Sequence, residues 1–257
     1  MEFGLNLYSV RNLIATEEGL LDTAEKLKQM GYRYLQYSGA PFDAARIKRM
    51  SEATGLPVVL THVPMDRILN DTENLMAEHA LFGCRNIGLG AMPREVICDL
   101  SQCRETVAQL ERAACKMAER GFRFFYHHHH YEFYRHEGKT VFDRILDQTP
   151  HINLTLDTYW LQYGGADVLK TVDRAAGRVE CIHLKDYMIT AKPGERVVFE
   201  PSFAPVGDGN LDFAAVLSHA KAAGAKYFLV EQDNAAVLPD TLGQVERSAV
   251  YLNKNFG

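Results

Sequence analysis

Carboxylate and imidazole side chains stand at the ends of short apolar runs in this sequence. Asp157 closes INLTLD, His183 lies within CIHLKD, and Glu231 follows YFLV. A carboxylate at the end of a buried strand is costly unless it is paired, protonated or coordinated. Two carboxylates with an imidazole suit Mn²⁺, Mg²⁺, Co²⁺ or Zn²⁺. The pattern therefore predicts a site for one divalent metal ion. The alternatives are a turn-capping role for Asp157 and a hydrogen-bonded core role for His183.

Four consecutive histidines, residues 127–130, lie between FRFFY and YEFYR. Side chains alternate along a strand, so His127 and His129 are expected on one face. We predict one or both of them at the site, with His129 as a catalytic residue. Glu132 follows within reach of the same rim and is a second catalytic candidate. His130 is interpreted as a solvated loop residue.

Three further side chains close to these positions could contact a substrate. Lys185 lies two residues after His183 and is expected on the same face of the strand. There it would bind a substrate oxygen or stabilise an enolate. A surface lysine is the alternative. His62 ends LPVVLTH and is predicted to bind substrate. Trp160 would form an apolar wall against a sugar, although packing in the core or at the rim accounts for it equally well.

Eight short apolar runs must position these residues. They span residues 2–8, 32–37, 56–62, 85–90, 122–127, 152–157, 179–185 and 226–232. Segments of helical period lie between them, of which 19–31, 103–121 and 213–224 each end at a glycine, as helices often do. Most runs begin 24–37 residues after the previous one, the length of a βα unit. The count predicts an α/β fold, a (β/α)8 TIM barrel in a single domain over residues 1–257. A doubly wound sheet is the alternative.

One connection is longer than the others. Residues 186–211 include AKPGER and VGDGN. Loops of this length in compact domains are usually functional. We predict a long loop that lies over the active site and excludes water from it.

Composition limits the partners of the chain. The net charge is −5, without the basic excess typical of nucleic-acid binders. The five cysteines form no CxxC pair and are expected to be free thiols in a reducing compartment. No basic leader precedes an apolar segment, and no apolar run approaches the roughly 20 residues of a membrane span. We therefore expect a cytoplasmic protein with a small-molecule substrate and neither nucleic acid nor membrane as partner. A homo-oligomer is left open.

Seven sequence pieces carry a family resemblance. They are GLNLYSVR (4–11), THVP (61–64), FYHHHHYEF (125–133), LTLDTYW (154–160), IHLKD (182–186), FAPVGDGNLDF (203–213) and FLVEQD (228–233). In order and spacing the sequence resembles the xylose isomerase-like TIM barrels, specifically the sugar phosphate isomerase/epimerase group. The resemblance implies one metal ion at the ends of strands five to eight, and Mn²⁺ is the expected metal. Asp157, His183 and Glu231 would be ligands.

The resemblance also exposes one departure. Sugar epimerases of this class place a glutamate at the end of strand five, where His127 stands here as the candidate fourth ligand. The nearest glutamate is Glu132. Gln36 stands where a carboxylate on strand two is frequent in the family, and it is assigned a substrate contact.

Two reactions follow from the resemblance. The first is a metal-dependent sugar isomerase or epimerase that abstracts a proton next to a carbonyl through a metal-stabilised enediolate. Glu231 would move protons together with Glu132 or the strand-five histidines. The alternative is a dehydratase or β-eliminating lyase on a keto-sugar or keto-inositol, with His129 or His127 as the acid, because inosose dehydratases and keto-glycoside lyases are similar here. The remaining hypotheses are that the protein is a DNA-repair endonuclease or a non-catalytic binding barrel.

Overall fold

Eight parallel strands form a closed barrel in the computed structural model, which describes residues 1–257. In chain order the barrel strands β1–β8 are Gly4–Asn6, Tyr34–Tyr37, Val58–His62, Asn86–Leu89, Arg123–His127, Ile152–Asp157, Cys181–Leu184 and Tyr227–Val230. Consecutive strands pair with each other, and β1 also pairs with β8, where Gly4 lies opposite Leu229. All eight strands lie within the apolar runs of the sequence. The predicted single-domain (β/α)8 barrel is confirmed.

Helices follow the strands and cover the outside of the barrel. The helices α1–α11 are Glu17–Gln29, Ala44–Thr54, Met65–Asn70, Thr72–Leu81, Arg94–Cys98, Leu100–Glu119, Val141–Gln148, Thr158–Tyr163, Val168–Arg174, Phe213–Ala222 and Thr241–Phe256. Three short 3-10 helices span Leu7–Val10, Tyr131–Phe133 and Ala235–Val237. Helix α1 shows why the pattern works. The Thr16 hydroxyl caps its first turn by accepting the Gly19 N–H, Leu20 and Leu27 are buried, and Gly31 follows the helix with a φ of 99°.

The apolar core beneath the carboxyl ends of the strands supports the polar residues above it. A cluster of buried side chains includes Leu60, Phe125, Cys181 and Leu229. Each precedes a polar residue by two positions, and these polar residues are His62, His127, His183 and Glu231. Side chains alternate along a strand, so each pair shares one face. The strands therefore place a polar layer directly above an apolar one.

Residues 186–211 contain an antiparallel hairpin rather than an irregular loop. Its strands are Asp186–Lys192 and Val198–Ala204, with Asp186 opposite Ala204. The hairpin stands outside the barrel sheet, as does a two-residue pair formed by Arg135–His136 and Lys139–Thr140. A role of the hairpin as a cover over the site stays a prediction.

The base of this hairpin is fixed by one buried carboxylate. Asp186 accepts backbone N–H groups from Tyr187, Gly207, Gly209 and Leu211 at 2.8–3.2 Å. These bonds hold the VGDGN turn against the end of β7. Because a Cβ at position 209 would collide with the Asp186 carboxylate, the turn requires a glycine there.

All five cysteines are free thiols. None of the helices combines the length and the apolar character that crossing a membrane requires.

Candidate metal centre and substrate cavity

Four buried side chains from neighbouring strands converge at the carboxyl end of the barrel. His127 comes from β5, Asp157 from β6, His183 from β7, and Glu231 from the residue after β8. Their donor atoms all lie within 4.8 Å of one another. β5 to β8 are consecutive in the barrel, so the ends of these strands meet at one place. The structure thus brings together the four residues that the sequence offered as ligands.

Hydrogen bonds to residues outside the cluster determine which ring nitrogen of His127 and of His183 carries a hydrogen. His127 Nδ1 lies 3.0 Å from the Gly90 carbonyl oxygen, which can only accept, so Nδ1 donates and Nε2 faces the cluster. His183 Nε2 lies 2.7 Å from Gln36 Oε1, so Nε2 donates and Nδ1 faces the cluster. Outer partners of this kind orient metal-binding histidines in proteins. Each ring therefore points its other nitrogen at the common centre.

The contact between His183 and Glu231 is the shortest one at this centre. His183 Nδ1 and Glu231 Oε2 are buried and lie 2.5 Å apart, close enough to share a proton. Burial acts to lower the pKa of His183, but the Glu231 and Asp157 carboxylates outweigh it and raise that pKa to about 8. A bound cation would take the place of the proton between His183 and Glu231, and two nitrogen and two oxygen donors suit a divalent transition ion. The residues present fit the metal that the sequence predicts.

Asp157 is held in place from two sides. Its Oδ1 accepts the Trp160 N–H at 3.0 Å and so caps α8, which leaves Oδ2 facing the cluster. Its own backbone N–H donates to His128 Nε2 at 3.1 Å. His128 Nδ1 in turn donates to the His129 carbonyl at 3.2 Å. Both nitrogens of His128 are thus used, and burial lowers its pKa to about 3, so the ring is neutral.

Lys185 is a buried ammonium surrounded by carboxylates. Its Nζ lies 3.0 Å from Asp157 Oδ2, 3.5 Å from Glu231 Oε2 and 3.1 Å from Asp233 Oδ1. Burial opposes the charge, but the three carboxylates outweigh it and raise the pKa of Lys185 above its usual value. The same ammonium helps to hold the pKa values of Asp157 and Glu231 well below normal, against the effect of burial. Lys185 is therefore a permanent positive charge at neutral pH.

A cavity of about 320 Å³ opens beside this cluster. It is lined by Tyr8, His62, Gly90, Ala91, His127, His129, Lys185, Glu231 and Asp233. The volume lies within the range of small-molecule sites. The ring centroid of His127 lies 4.7 Å from that of His129 and 5.3 Å from that of His62. Burial lowers the pKa of both cavity histidines, that of His129 to about 2, so both are neutral.

Comparison with known proteins identifies the family. The family model for the xylose isomerase-like TIM barrel matches residues 24–254. The chain belongs to this family. None of the curated proteins compared with this xylose isomerase-like barrel matches it. The family resemblance of the sequence is thereby confirmed.

Solved structures share the fold of this xylose isomerase-like barrel. A sugar phosphate isomerase/epimerase from Parabacteroides distasonis has a TM-score of 0.81 at 21% identity, over 99% of this chain and 94% of that one. An L-ribulose 3-epimerase has a TM-score of 0.71 at 16% identity, over 99% and 94%. A probable 3-DHS dehydratase from Bacillus anthracis has a TM-score of 0.69 at 12% identity, over the whole of both chains. At these identities the likeness shows the fold.

Three residues predicted for substrate or catalysis do not line the cavity of this family member. Gln36 is buried and accepts the hydrogen bond from His183. Trp160 lies in the first turn of α8. The centroid of its ring is 5.1 Å from Lys185 Nζ and 5.2 Å from the ring centroid of His129.

Glu132, the third of these residues, is fully buried, and both its oxygens are used. It accepts the Tyr126 hydroxyl at 2.6 Å and the His129 N–H at 2.7 Å. Burial outweighs these bonds and raises the pKa of Glu132 to about 7.

The structure adds two residues that sequence reasoning left without a role. Asp233 lines the cavity and contacts Lys185. Its position two residues after Glu231 in FLVEQD was the available signal. His128 stands between His127 and His129 in the histidine run, and its bond to Asp157 depends on the pairing of β5 with β6.

Proposed function

We propose that this protein is a divalent-metal-dependent sugar isomerase or epimerase that moves a proton on a carbon next to a carbonyl group. The observation that carries the proposal is the convergence of His127, Asp157, His183 and Glu231 beside a cavity that also holds the Lys185 ammonium. These four residues would bind one ion. Mn²⁺ is the proposed metal, and Co²⁺, Zn²⁺ or Mg²⁺ are the alternatives. Such an ion would polarise the carbonyl and hydroxyl oxygens of the substrate.

Glu231 is the proposed base. Its carboxylate lines the cavity and stays ionised, since the Lys185 ammonium and His183 keep its pKa low. It would take the proton from the carbon beside the carbonyl. An isomerase would return that proton to the neighbouring carbon, whereas an epimerase would need a second group, for which His129 is the candidate, to deliver a proton to the opposite face. The Lys185 ammonium, 3.5 Å from Glu231, would stabilise the negative charge that grows on the neighbouring oxygen.

The histidines of the cavity would assist as neutral groups. His129 carries an Nδ1 without a hydrogen-bond partner, and His62 an Nε2 without one. Both would bind substrate hydroxyl groups, and His129 would pass a proton between neighbouring oxygens. The sugar-like class of substrate is supported by the epimerases that share this fold.

A dehydratase or β-eliminating lyase on a keto-sugar or keto-inositol is the second candidate. It is favoured by the imidazoles of His127 and His129 at the end of β5, and a probable 3-DHS dehydratase shares the fold. Both reactions begin with the same proton abstraction by Glu231. The low pKa of His129 leaves little imidazolium to protonate a departing hydroxyl, which ranks the lyase second.

Deuterium exchange separates the two reactions. The metal-loaded protein is incubated with free ketopentoses and ketohexoses in D2O, and products are followed by NMR and mass spectrometry. Deuterium incorporation with interconversion of sugars is expected. Loss of water with a new enone absorbance would instead identify a lyase.

Matched variants test the assigned residues in the same assay. Glu231→Gln is expected to abolish exchange, whereas Glu25→Gln on the exposed face of α1 should leave it unchanged. Asp157→Ala should lose the metal, as measured by elemental analysis. Undiminished exchange in Glu231→Gln, or full metal occupancy in Asp157→Ala, would contradict the proposal.

A further inference from the structure

The hairpin between β7 and α10 has one wholly apolar face. Its first strand is Asp186–Lys192 and its second strand is Val198–Ala204. Side chains alternate along both strands, so every second pair of opposed residues lies on the same face. The apolar face consists of three such pairs, which are Tyr187 with Phe203, Ile189 with Pro201, and Ala191 with Phe199.

The barrel covers only the inner half of this apolar face. Tyr159 of α8 lies against it, with its ring centroid 4.7 Å from that of Phe203 and 5.3 Å from that of Tyr187. Further out, Ile189 is 51% exposed and Phe199 is 71% exposed. A two-stranded hairpin is at best marginally stable in water unless its apolar face is covered. The outer half therefore marks an interaction surface.

A second exposed aromatic ring lies at the base of the hairpin. Tyr163 at the end of α8 stacks on Tyr159 with the ring centroids 5.4 Å apart, and it is 52% exposed. The molecule thus presents an uncovered apolar arm and, beside the base of that arm, an uncovered aromatic ring.

The two edges of the hairpin differ in their ability to pair. Pro201 in the second strand has no N–H to donate, and a proline on an edge protects it from pairing. The first strand contains no proline and pairs only with the second. Its outer edge carries backbone N–H and C=O groups that another strand can bind.

Charge and size favour an identical hairpin as the partner. Lys192 pairs with Glu200 across the two strands, and Glu195 and Arg196 in the turn also have opposite charges. Two copies therefore meet without net repulsion, whereas this balance offers no attraction to nucleic acid or to an anionic membrane. Residues 186–204 and the exposed end of α8 together approach the roughly 20–30 residues that a stable interface takes from each side.

We propose that the hairpin is a dimerisation arm that binds the hairpin of a second copy of this chain. The first strands of the two copies pair antiparallel about a two-fold axis at Ile189 and form a four-stranded sheet. Because these strands run in opposite directions, the outer half of each arm, with Phe199, lies beside the base of the other, where Tyr163 is exposed. One symmetric contact thereby pairs the free edges and covers the apolar residues of both copies.

Sedimentation of the full-length protein tests the dimer. Analytical ultracentrifugation is expected to show twice the mass of one chain. Ile189→Lys places two like charges face to face on the axis and is expected to raise the Kd of the dimer at least about tenfold. Val250→Lys, at a residue of α11 that is 59% exposed, should keep the wild-type Kd. A monomeric wild type, or an unchanged Kd in Ile189→Lys, would overturn the proposal.

A mixture of two charge variants tests the position of the axis. Ile189→Glu alone is expected to dimerise as weakly as Ile189→Lys, because Ile189 faces its own copy across the axis. Mixing the two variants should restore a dimer, since opposite charges then meet. A mixture that stays monomeric would rule out this pairing. Should either variant fail to fold, as judged by circular dichroism, Phe199→Asp replaces it in the sedimentation test.

A lipid surface is the competing occupant of an exposed apolar hairpin. Wild-type protein that remains monomeric and sediments with phosphatidylcholine vesicles would reject the dimer in favour of a membrane contact. The proposal goes beyond the proposed function and does not depend on it. A dimer without deuterium exchange would reject only the isomerase, and an active monomer would reject only the dimerisation arm.

Discussion

The four consecutive histidines show how burial and partners give one residue type different tasks. His127 belongs to the donor cluster, His129 lines the cavity, and His130 packs against Trp160 with ring centroids 5.2 Å apart. Strand alternation predicted that His127 and His129 share a face. The task of His128 was not predictable, because its bond to Asp157 joins two strands whose register the sequence does not state.

Replacement of His128 should weaken metal binding without removing a ligand. His128→Leu leaves the backbone N–H of Asp157 buried and unpaired, which would loosen the residue whose Oδ2 is the proposed metal ligand. Loss of outer partners typically lowers metal affinity about 10- to 100-fold. Competition with a chelating dye measures the change. His130→Leu, in the same run but without a hydrogen bond to a ligand, should keep wild-type affinity, and equal losses in both variants would argue against a positioning role.

Joints between secondary-structure elements contain further buried polar residues, of which His79 is the clearest case. It lies in α4, where its Nδ1 donates to the Leu75 carbonyl at 2.7 Å and its Nε2 accepts the Thr61 hydroxyl of β3 at 2.7 Å. Its ring stacks on Phe42 at 4.9 Å. Nothing in the spacing of the sequence separates this structural histidine from the catalytic candidates. Only the packing of α4 on β3 does so.

His79 should make the fold sensitive to acid. Burial lowers its pKa to about 4 in the folded protein, against about 6.5 when unfolded. The unfolded chain therefore binds the extra proton first, so the stabilisation is complete above pH 6.5 and is lost as the pH falls towards 4. The loss amounts to about 3 kcal/mol. Urea unfolding of the metal-free protein between pH 7 and 4.5 should show a smaller decline for His79→Gln, and parallel declines would count against this assignment.

At the scale of the whole molecule, the donor cluster occupies one half of the barrel. β5 to β8 supply all four donors, whereas β2 and β3 supply only Gln36 and His62 nearby. The sequence predicted this convergence because eight apolar runs, most of them spaced by the length of a βα unit, imply a closed parallel barrel whose carboxyl ends meet. It did not predict the hairpin within 186–211, since pairing between Asp186–Lys192 and Val198–Ala204 depends on two segments separated by a turn.

A bound ion should therefore stabilise the fold by linking four strands. At a free metal concentration of about 100 times Kd, binding to the folded state alone adds about 2.7 kcal/mol. The melting temperature should rise by several degrees on addition of Mn²⁺ and fall again with EDTA. Scanning calorimetry of wild type and Asp157→Ala tests this. A shift of equal size in the variant would place the stabilising ion elsewhere.

The opposite protonation of the two cluster imidazoles has a spectroscopic consequence. His127 carries its hydrogen on Nδ1, where Gly90 accepts it, and His183 carries its hydrogen on Nε2, where Gln36 accepts it. The two rings therefore present different nitrogens to the same centre. In ¹⁵N-resolved spectra, binding of a diamagnetic ion such as Zn²⁺ would shift the Nε2 resonance of His127 and the Nδ1 resonance of His183. His127 and His183 would thus report separately on how the barrel binds a metal ion.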